Sequence, residues 1–202
     1  MPDHWSATSI AAVLHRTVLA PLDFRRSGTT CVRTDHQLVR VIKFYARPAS
    51  TPRVQILLSV AVDGLPESLA PLRRDTLWGH PEPRDGRNWY PRPSRQDPLP
   101  DDLIDDVSES AIEFLACAED LEGFVTWARE IYAGDGHRGW WRRFRPVLPQ
   151  GTSPRQAAAY AALLSGDEAV ADELAAQVEA SERDSDERRR FEAELAHVRA
   201  LI

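Results

Sequence analysis

One nine-residue stretch, VQILLSVAV at residues 54 to 62, constrains the fold more than any other feature of this sequence. Apolar and polar side chains alternate along it, so every second residue points to the same side. This period of two is typical of a strand in a sheet that is covered on one face. The apolar side carries Val54, Ile56, Leu58, Val60 and Val62, and the other side carries Gln55, Ser59 and Asp63.

A second run, LVRVIKFYA at residues 38 to 46, is rich in β-branched and aromatic residues and follows a polar turn at residues 34 to 37. Shorter extended runs precede it, on either side of a break at Ser27 and Gly28. The links between these runs are short, and tight turns can join only antiparallel neighbours. We therefore predict an antiparallel meander.

Two helical regions are available to cover the apolar side of this sheet. The first is predicted at about residues 6 to 20, with Ser6 or Ser9 as its cap. The second, residues 101 to 132, has apolar residues at spacings of three and four, and Gly123 suggests two consecutive helices. The predicted class is α+β, a small antiparallel sheet covered by helices, with a C-terminal all-helical appendage.

The C-terminal quarter is rich in alanine and predicts two helices that turn at residues 165 to 167, then a third from about Ser185. The pair is similar to a single tetratricopeptide helix-turn-helix unit. One such unit cannot build a solenoid, so we expect an appendage that packs on the main domain. The predicted division is residues 1 to 136 as the α+β domain, 137 to 153 as a basic aromatic linker, and 154 to 202 as a helical hairpin plus terminal helix.

The charges are segregated along the chain, although its net charge is only −6. Residues 24 to 95 carry a net charge of +7, residues 96 to 136 carry −11, and residues 137 to 166 carry +5. Neighbouring blocks of opposite charge can face each other within the fold. Alternatively, a basic block can form an electropositive face for an anionic partner.

Two segments combine arginine with aromatic residues, and they are the candidate binding sites. Both compositions suit a protein interface, a groove for single-stranded nucleic acid, or a structural joint whose tryptophans are buried between two parts of the fold. The first segment lies in the proline-rich connection of residues 64 to 100, and the second lies in the linker. The candidate residues are Arg73, Arg74, Trp89 and Tyr90 in the first, and Trp140, Trp141, Arg142 and Arg143 in the second.

The sequence contains no specific catalytic or metal-binding motif. No two histidines have the spacing of helical metal ligands, so we predict no metal and no cofactor. Cys31 with His36 as its base is a conceivable nucleophile, but a cysteine in a strand is more often part of the core. Residues 101 to 106, DDLIDD, hold four carboxylates, whose usual role is to stabilise a helix start, with Asp101 as the cap.

Two cysteines in apolar runs and no apolar run of membrane-spanning length predict a cytoplasmic protein with reduced thiols. Lys43 is the only lysine among 25 basic residues, a bias typical of a GC-rich bacterial genome.

Several segments of the first two thirds of the chain together carry a resemblance to a known family. They are VLAPLDFRRSGTTCVR, VRVIKFYA, VQILLSVAV, the pair Arg73 and Arg74, and the NWY segment at residues 88 to 90. Through them, residues 8 to 133, approximately, resemble a bacterial family of uncharacterised proteins, domain of unknown function four-three-zero-four. After the strand run, RPAS replaces the usual glutamine and serine of that family, and Ser59 stands where asparagine is common. The resemblance implies an α+β fold and assigns no activity.

The sequence therefore favours a non-catalytic protein-binding module of a bacterium, with immunity proteins and antitoxins as examples of the type. The partner is expected to be another protein. Nucleic-acid binding through the arginine and tryptophan segments is the alternative. An enzyme would need the 101 to 106 carboxylates, or Cys31 with His36, to gather in a cleft.

Overall fold

A computed structural model gives the fold of the chain as an α+β arrangement, which confirms the predicted class. Along the chain, an N-terminal helix comes first, a six-stranded antiparallel sheet follows, and helices form the C-terminal part. The structure describes residues 4–47, 53–63, 77–79, 89–116, 118–133, 154–181 and 185–202.

The N-terminal helix begins where the sequence predicts it. Helix α1 spans Ala7–Leu14, and the Ser6 hydroxyl caps it by accepting the Ser9 backbone N–H at 3.0 Å. The helix then widens into a π-helical turn, His15–Leu19, and tightens into a 3-10 turn, Ala20–Leu22. The chain reverses after this turn and enters the sheet.

The predicted antiparallel meander is confirmed. The sheet order is β1-β2-β3-β4-β5, and β6 pairs with β4 alongside β5. Strands β3 and β4 are the longest, with ten residues each, and form the centre of the sheet. The strands are β1 (Arg25–Ser27), β2 (Thr30–Asp35), β3 (Leu38–Arg47), β4 (Arg53–Val62), β5 (Leu77–Gly79) and β6 (Tyr90–Pro91).

The alternation in β4 divides the sheet into two faces, as predicted. Its five apolar residues at even positions, from Val54 to Val62, are at most 1% exposed. Helix α1 packs against β3 on this face. The opposite face is half-buried at Gln55, Leu57 and Ser59. We refer to these as the covered face and the open face.

The turn between β2 and β3 consists of two residues with left-handed backbone conformation. His36 has φ of 47° and Gln37 has φ of 60°, which are the signs of a type I′ turn. This turn type matches the twist of a hairpin, but it normally recruits asparagine and glycine. The Asp63 N–H donates to the Gln37 carbonyl at 2.6 Å and holds the turn against the end of β4.

The acidic region forms the predicted consecutive helices, and the break between them lies at residues 118 to 120, just before Gly123. Within the first helical run, a π-helical segment, Asp106–Ala111, joins α2 to α3. The Asp120 side chain begins the last helix by accepting the Gly123 N–H at 2.8 Å, so Gly123 lies in its first turn. The helices are α2 (Asp101–Asp105), α3 (Ile112–Ala116) and α4 (Leu121–Ala133).

The prediction that Asp101 caps α2 is wrong. Pro100 occupies the cap position and makes no side-chain hydrogen bond, whereas Asp101 is already within the helix. The Asp102 carboxylate accepts the Leu103 N–H at 2.9 Å. Both carboxylates still lie in the first turn, where they offset the positive end of the helix dipole.

The C-terminal helices match the prediction, and the first of them joins the main core. Helix α5 (Pro154–Leu164) packs against α4 as well as against α6 (Glu168–Ser181) and α7 (Ser185–Arg199). Arg129 of α4 donates to both carboxylate oxygens of Glu173 at 2.9 Å. Within the described part, none of the helices combines the length and apolarity needed to cross a membrane.

Glycine at two positions gives opposite expectations for substitution by alanine. Gly123 is helical, and an added Cβ would lie 3.4 Å from Asp120 Oδ1, which is ordinary contact. Gly166 has φ of 84° and closes α5 through a Schellman motif, with its N–H bonded to the Leu163 carbonyl at 2.9 Å.

We expect Gly123→Ala to stabilise the protein by about 0.4 to 1 kcal/mol, because it reduces the entropy of the unfolded chain. The matched variant Gly166→Ala should destabilise it by about 1 kcal/mol, because L-residues are disfavoured at this φ despite the open space. Urea unfolding monitored by circular dichroism measures both free energies. Equal shifts in the two variants would contradict the assignment.

Candidate functional site

Six of the eight residues predicted from the sequence to bind a partner lie outside the described residues. These are Arg73, Arg74, Trp140, Trp141, Arg142 and Arg143. The structure describes the other two, Trp89 and Tyr90.

Trp89 is half-buried and makes a cation-π contact with Arg53 of β4. The guanidinium carbon lies 4.3 Å from the centroid of the ring. One face of the indole is therefore already occupied within the fold. Trp89 retains some exposure, but a base or a partner side chain cannot stack on the occupied face.

Tyr90 lies in the core, and its proposed binding role must be corrected. Its side chain is 1% exposed, and its hydroxyl donates to Asp106 Oδ2 at 2.9 Å. A buried phenol needs such an acceptor, since an unpaired hydroxyl in an apolar setting costs free energy. Strand β6 places the ring on the covered face by pairing Tyr90 with Val54. The aromatic residue is thus a core anchor.

The hydrogen bond from Tyr90 gives Asp106 a different environment from the other carboxylates of residues 101 to 106. Asp106 is only 6% exposed and faces Tyr90, whereas Asp101 and Asp102 are exposed at the start of α2. No group of three or more histidine, cysteine, aspartate or glutamate side chains in the described ranges could hold a metal ion.

Cys31 is not placed to act as a nucleophile. Its side chain is fully buried in β2, and burial raises the pKa of the thiol from 9.0 to about 11, with a smaller opposing effect of Arg26. A reactive cysteine requires the reverse, a lowered pKa and access to solvent. His36, the candidate base, lies in the β2–β3 turn.

The most unusual side chain on the covered face is Arg40, which the sequence interpretation missed. It is 1% exposed near the start of β3 and points into the apolar core. Its Nε donates to the Leu115 carbonyl at 2.8 Å, and its Nη2 donates to the carbonyls of Ala118 and Glu119. Leu115 lies in the last turn of α3, where a cation is favoured by the helix dipole, and Ala118 and Glu119 follow in the link to α4.

The signal for Arg40 was present in the strand pattern. Leu38, Arg40, Ile42 and Phe44 alternate along LVRVIKFYA, and all four are buried. A charged residue at a core position of a strand is rare unless it has partners. The sequence did not reveal which distant carbonyls would supply them.

Asp35 extends this network from the core to the surface. Its carboxylate pairs with Arg40 Nη1 through one oxygen and with Arg33 Nε, at 2.9 Å, through the other. Arg33 in turn lies over the Phe24 ring, with its guanidinium carbon 5.4 Å from the centroid. One chain of contacts thus connects the end of α3, the β2–β3 hairpin and the turn that precedes β1.

A groove lies beside these residues, between the turn that precedes β1 and the second half of β2. Its volume is about 650 Å³. It combines two basic and two acidic side chains, and the nearby Arg40 adds a third positive charge through its pair with Asp35. The lining residues are Ala20, Asp23, Phe24, Arg25, Val32, Arg33, Thr34 and Asp35.

Strand β1 leaves half of its neighbour unpaired along this groove. The β1–β2 ladder ends at the pair Arg25 and Val32, whereas β2 continues to Asp35. Beyond Arg25 the chain turns away, because the Phe24 N–H donates to the Leu19 carbonyl and the Asp23 N–H donates to the Ala20 carbonyl. The edge of β2 is therefore open next to the groove.

The surroundings of this edge are strongly basic. Residues 23 to 47 contain six lysine and arginine residues and two acidic residues, Asp23 and Asp35. Because Asp35 is shared by Arg33 and Arg40, it neutralises only part of this charge. The groove therefore lies in a positive region of a protein that is acidic as a whole.

A scan of the chain against protein-family models, and searches of curated proteins and of solved structures, gave no significant match. The resemblance to domain of unknown function four-three-zero-four stays a prediction.

We expect Arg40→Met to destabilise the fold by about 3 to 5 kcal/mol, because it leaves Asp35 and the α3 carbonyls without their buried partner. Lys43→Met is the matched control on the same strand, since Lys43 lies on the open face over Tyr45. It should cost about 1 kcal/mol or less. Urea unfolding distinguishes the two, and a similar loss in both would contradict the role of Arg40.

We expect the Cys31 thiol to resist alkylation in the native state. In a Cys117→Ser background, iodoacetamide at pH 8 should react far more slowly with folded protein than with protein in urea, because the thiol is buried and protonated. Equal rates would contradict this.

The raised pKa also predicts a pH dependence of stability. The folded thiol keeps its proton up to about pH 11, whereas the unfolded thiol loses it near 9.0, so the unfolding free energy should fall between these values. The fall should be smaller in Cys31→Ala, which is the control for other titrating groups.

Proposed function

We propose that this chain is a non-catalytic protein-binding module, of the kind that immunity proteins and antitoxins represent. The observation that carries the proposal is the open edge of β2, from Arg33 to Asp35, beside a groove of about 650 Å³. Unpaired backbone groups at a sheet edge are a ready template for pairing with another chain. The groove gives a partner access to them.

The walls of the groove are fixed before any partner arrives. Arg33 holds the preceding turn by stacking on Phe24, and Asp35 is held by Arg33 and Arg40 together. A site whose side chains are already ordered loses less conformational entropy on binding. This rigidity supports a binding role for the groove.

The two catalytic alternatives lose support from the same residues. Cys31 is inaccessible, and Asp106 is buried and bonded to Tyr90, whereas Asp101 and Asp102 are exposed. A buried thiol and a carboxylate already bonded to a phenol are poorly suited to serve as a nucleophile or an acid–base group. A protein-binding role requires neither group.

Nucleic-acid binding remains the second candidate, because the groove region is basic. Its aromatic component is weaker than the sequence suggested. Tyr90 is in the core, and one face of Trp89 is covered by Arg53. Base stacking on exposed aromatic rings is a large part of single-strand binding. The described residues thus favour a protein partner.

Affinity purification from the source organism, with and without nuclease, tests the proposal. We expect a stoichiometric protein partner that survives nuclease treatment and is lost with Arg25→Glu, which reverses an exposed charge in the groove. Arg189→Glu is the control, because Arg189 is an exposed residue of α7. Arg73→Ala and Trp140→Ala report whether the undescribed candidates contribute.

Three results would overturn the proposal. The first is the absence of any stoichiometric protein under all conditions. The second is a partner that disappears with nuclease, which would favour nucleic-acid binding. The third is equal loss of the partner in Arg25→Glu and Arg189→Glu, which would place the interaction away from the groove.

A further inference from the structure

We infer that the groove binds a short, extended, acidic peptide segment of the partner, which adds as a strand to the edge of β2 beyond the end of β1. This inference rests on the proposed protein-binding function and specifies its ligand. The segment would occupy the place in the sheet that β1 leaves vacant at Arg25.

The hairpin register shows which backbone groups face the groove. In a two-residue hairpin, the residues that flank the turn exchange both backbone hydrogen bonds, so Asp35 and Leu38 form such a pair. The next pair, Thr34 and Val39, is then of the alternate type, with its N–H and C=O groups directed away from each other. The Thr34 backbone therefore points outward, to the side of the groove.

The partner strand for Thr34 is missing among the described residues. The last β1 residue paired with β2 is Arg25, which lies opposite Val32. Continuing β1 in register would place residue 23 opposite Thr34, but Asp23 has φ of 62° and bonds to Ala20 instead. One N–H and one C=O of β2 are thus available to an incoming extended chain, while the Thr34 side chain is exposed.

The size of the opening suits a few extended residues. The unpaired part of β2 spans three residues, Arg33 to Asp35, which corresponds to about 10 Å of strand. An added strand would lie about 4.8 Å from β2. The groove provides space in this position, between β2 and the turn of residues 20 to 24.

The charges specify an acidic segment. A peptide residue opposite Thr34 would lie on the same face as Arg25 and Val32, because Arg25 and Thr34 project to the same side of the sheet. Arg25 is exposed, and a carboxylate at that peptide position would lie in line with β1, about 7 Å beyond Arg25 on the same face. A basic segment would be repelled by the net positive charge of residues 23 to 47, which remains +4 when Asp23 of the groove is included.

The test uses a displayed library of random octapeptides selected against the full-length protein. We expect the enriched peptides to contain acidic residues and few prolines. A selected peptide, labelled with fluorescein, then gives a dissociation constant by fluorescence anisotropy. Methylation of alternate backbone nitrogens in that peptide should weaken binding about tenfold, because it removes the pairing with the β2 edge.

A pair of variants at position 34 isolates the backbone contact. Thr34→Pro removes the outward N–H without affecting the β2–β3 ladder, since proline is tolerated where the N–H faces away from the sheet. It should weaken peptide binding about tenfold. Thr34→Val keeps the N–H and should bind within about twofold of the parent. Circular dichroism melting curves verify that both variants fold, and the methylated peptide provides the same test independently of any variant.

The outcomes separate this inference from the proposed function. Strand addition is wrong if the library yields no binding peptide, or if the methylated peptide binds as tightly as its parent. If the purified partner is retained by Thr34→Pro but lost with Arg25→Glu, protein binding stands and strand addition fails.

Two further occupants are tested with the same protein. Tight binding of a fluorescent oligothymidine that competes with the peptide would assign the groove to nucleic acid. A dimer in sedimentation velocity that dissociates in Thr34→Pro would assign it to a second copy of the chain. Either result overturns the acidic peptide as the ligand.

Discussion

The rest of this structure depends on the hydrogen bonds and the ion pair that the buried Arg40 guanidinium makes. A charge inside an apolar core is unfavourable unless it is paired and hydrogen-bonded. Arg40 donates hydrogen bonds to three backbone carbonyls at and after the end of α3, and its Nη1 forms an ion pair with the Asp35 carboxylate. It therefore determines where the acidic helices end relative to the sheet. Apolar packing alone is not directional and could not specify that position.

The same network organises the surface. Asp35 is ordered by Arg40 and orders Arg33, which in turn covers Phe24 at the entrance to the sheet. The groove is consequently built on groups whose positions are fixed from the core outward. Functional sites supported in this way by a second layer of contacts keep their geometry when loops elsewhere change. Stability and the candidate site are thus coupled through one side chain.

Local sequence signals predicted the elements well, whereas contacts between distant residues were not predictable. The alternation in β4, the Ser6 cap and the turn at Gly166 depend on neighbours in sequence, and all three are present as expected. Arg40 and Tyr90 depend on partners 75 and 16 residues away, Leu115 and Asp106. The sequence predicted Tyr90 as part of a binding segment because it lies among arginines and a tryptophan, but its side chain is buried. Strand β1 likewise ends early because the backbone N–H groups of Phe24 and Asp23 donate to the carbonyls of Leu19 and Ala20. The side chains of these two residues do not predict those bonds.

The register of the β2–β3 hairpin connects the core to the candidate site. A slip of one residue would turn Arg40 toward the open face and would direct the Thr34 backbone inward, because side chains and hydrogen bonds both alternate with a period of two. The turn at His36 and Gln37 holds this register although both residues adopt a conformation that glycine accepts more readily. The N–H of Asp63, directly after β4, donates to the Gln37 carbonyl and so holds the turn in place. The register that buries Arg40 is therefore also the register that directs the Thr34 backbone toward the open edge of β2.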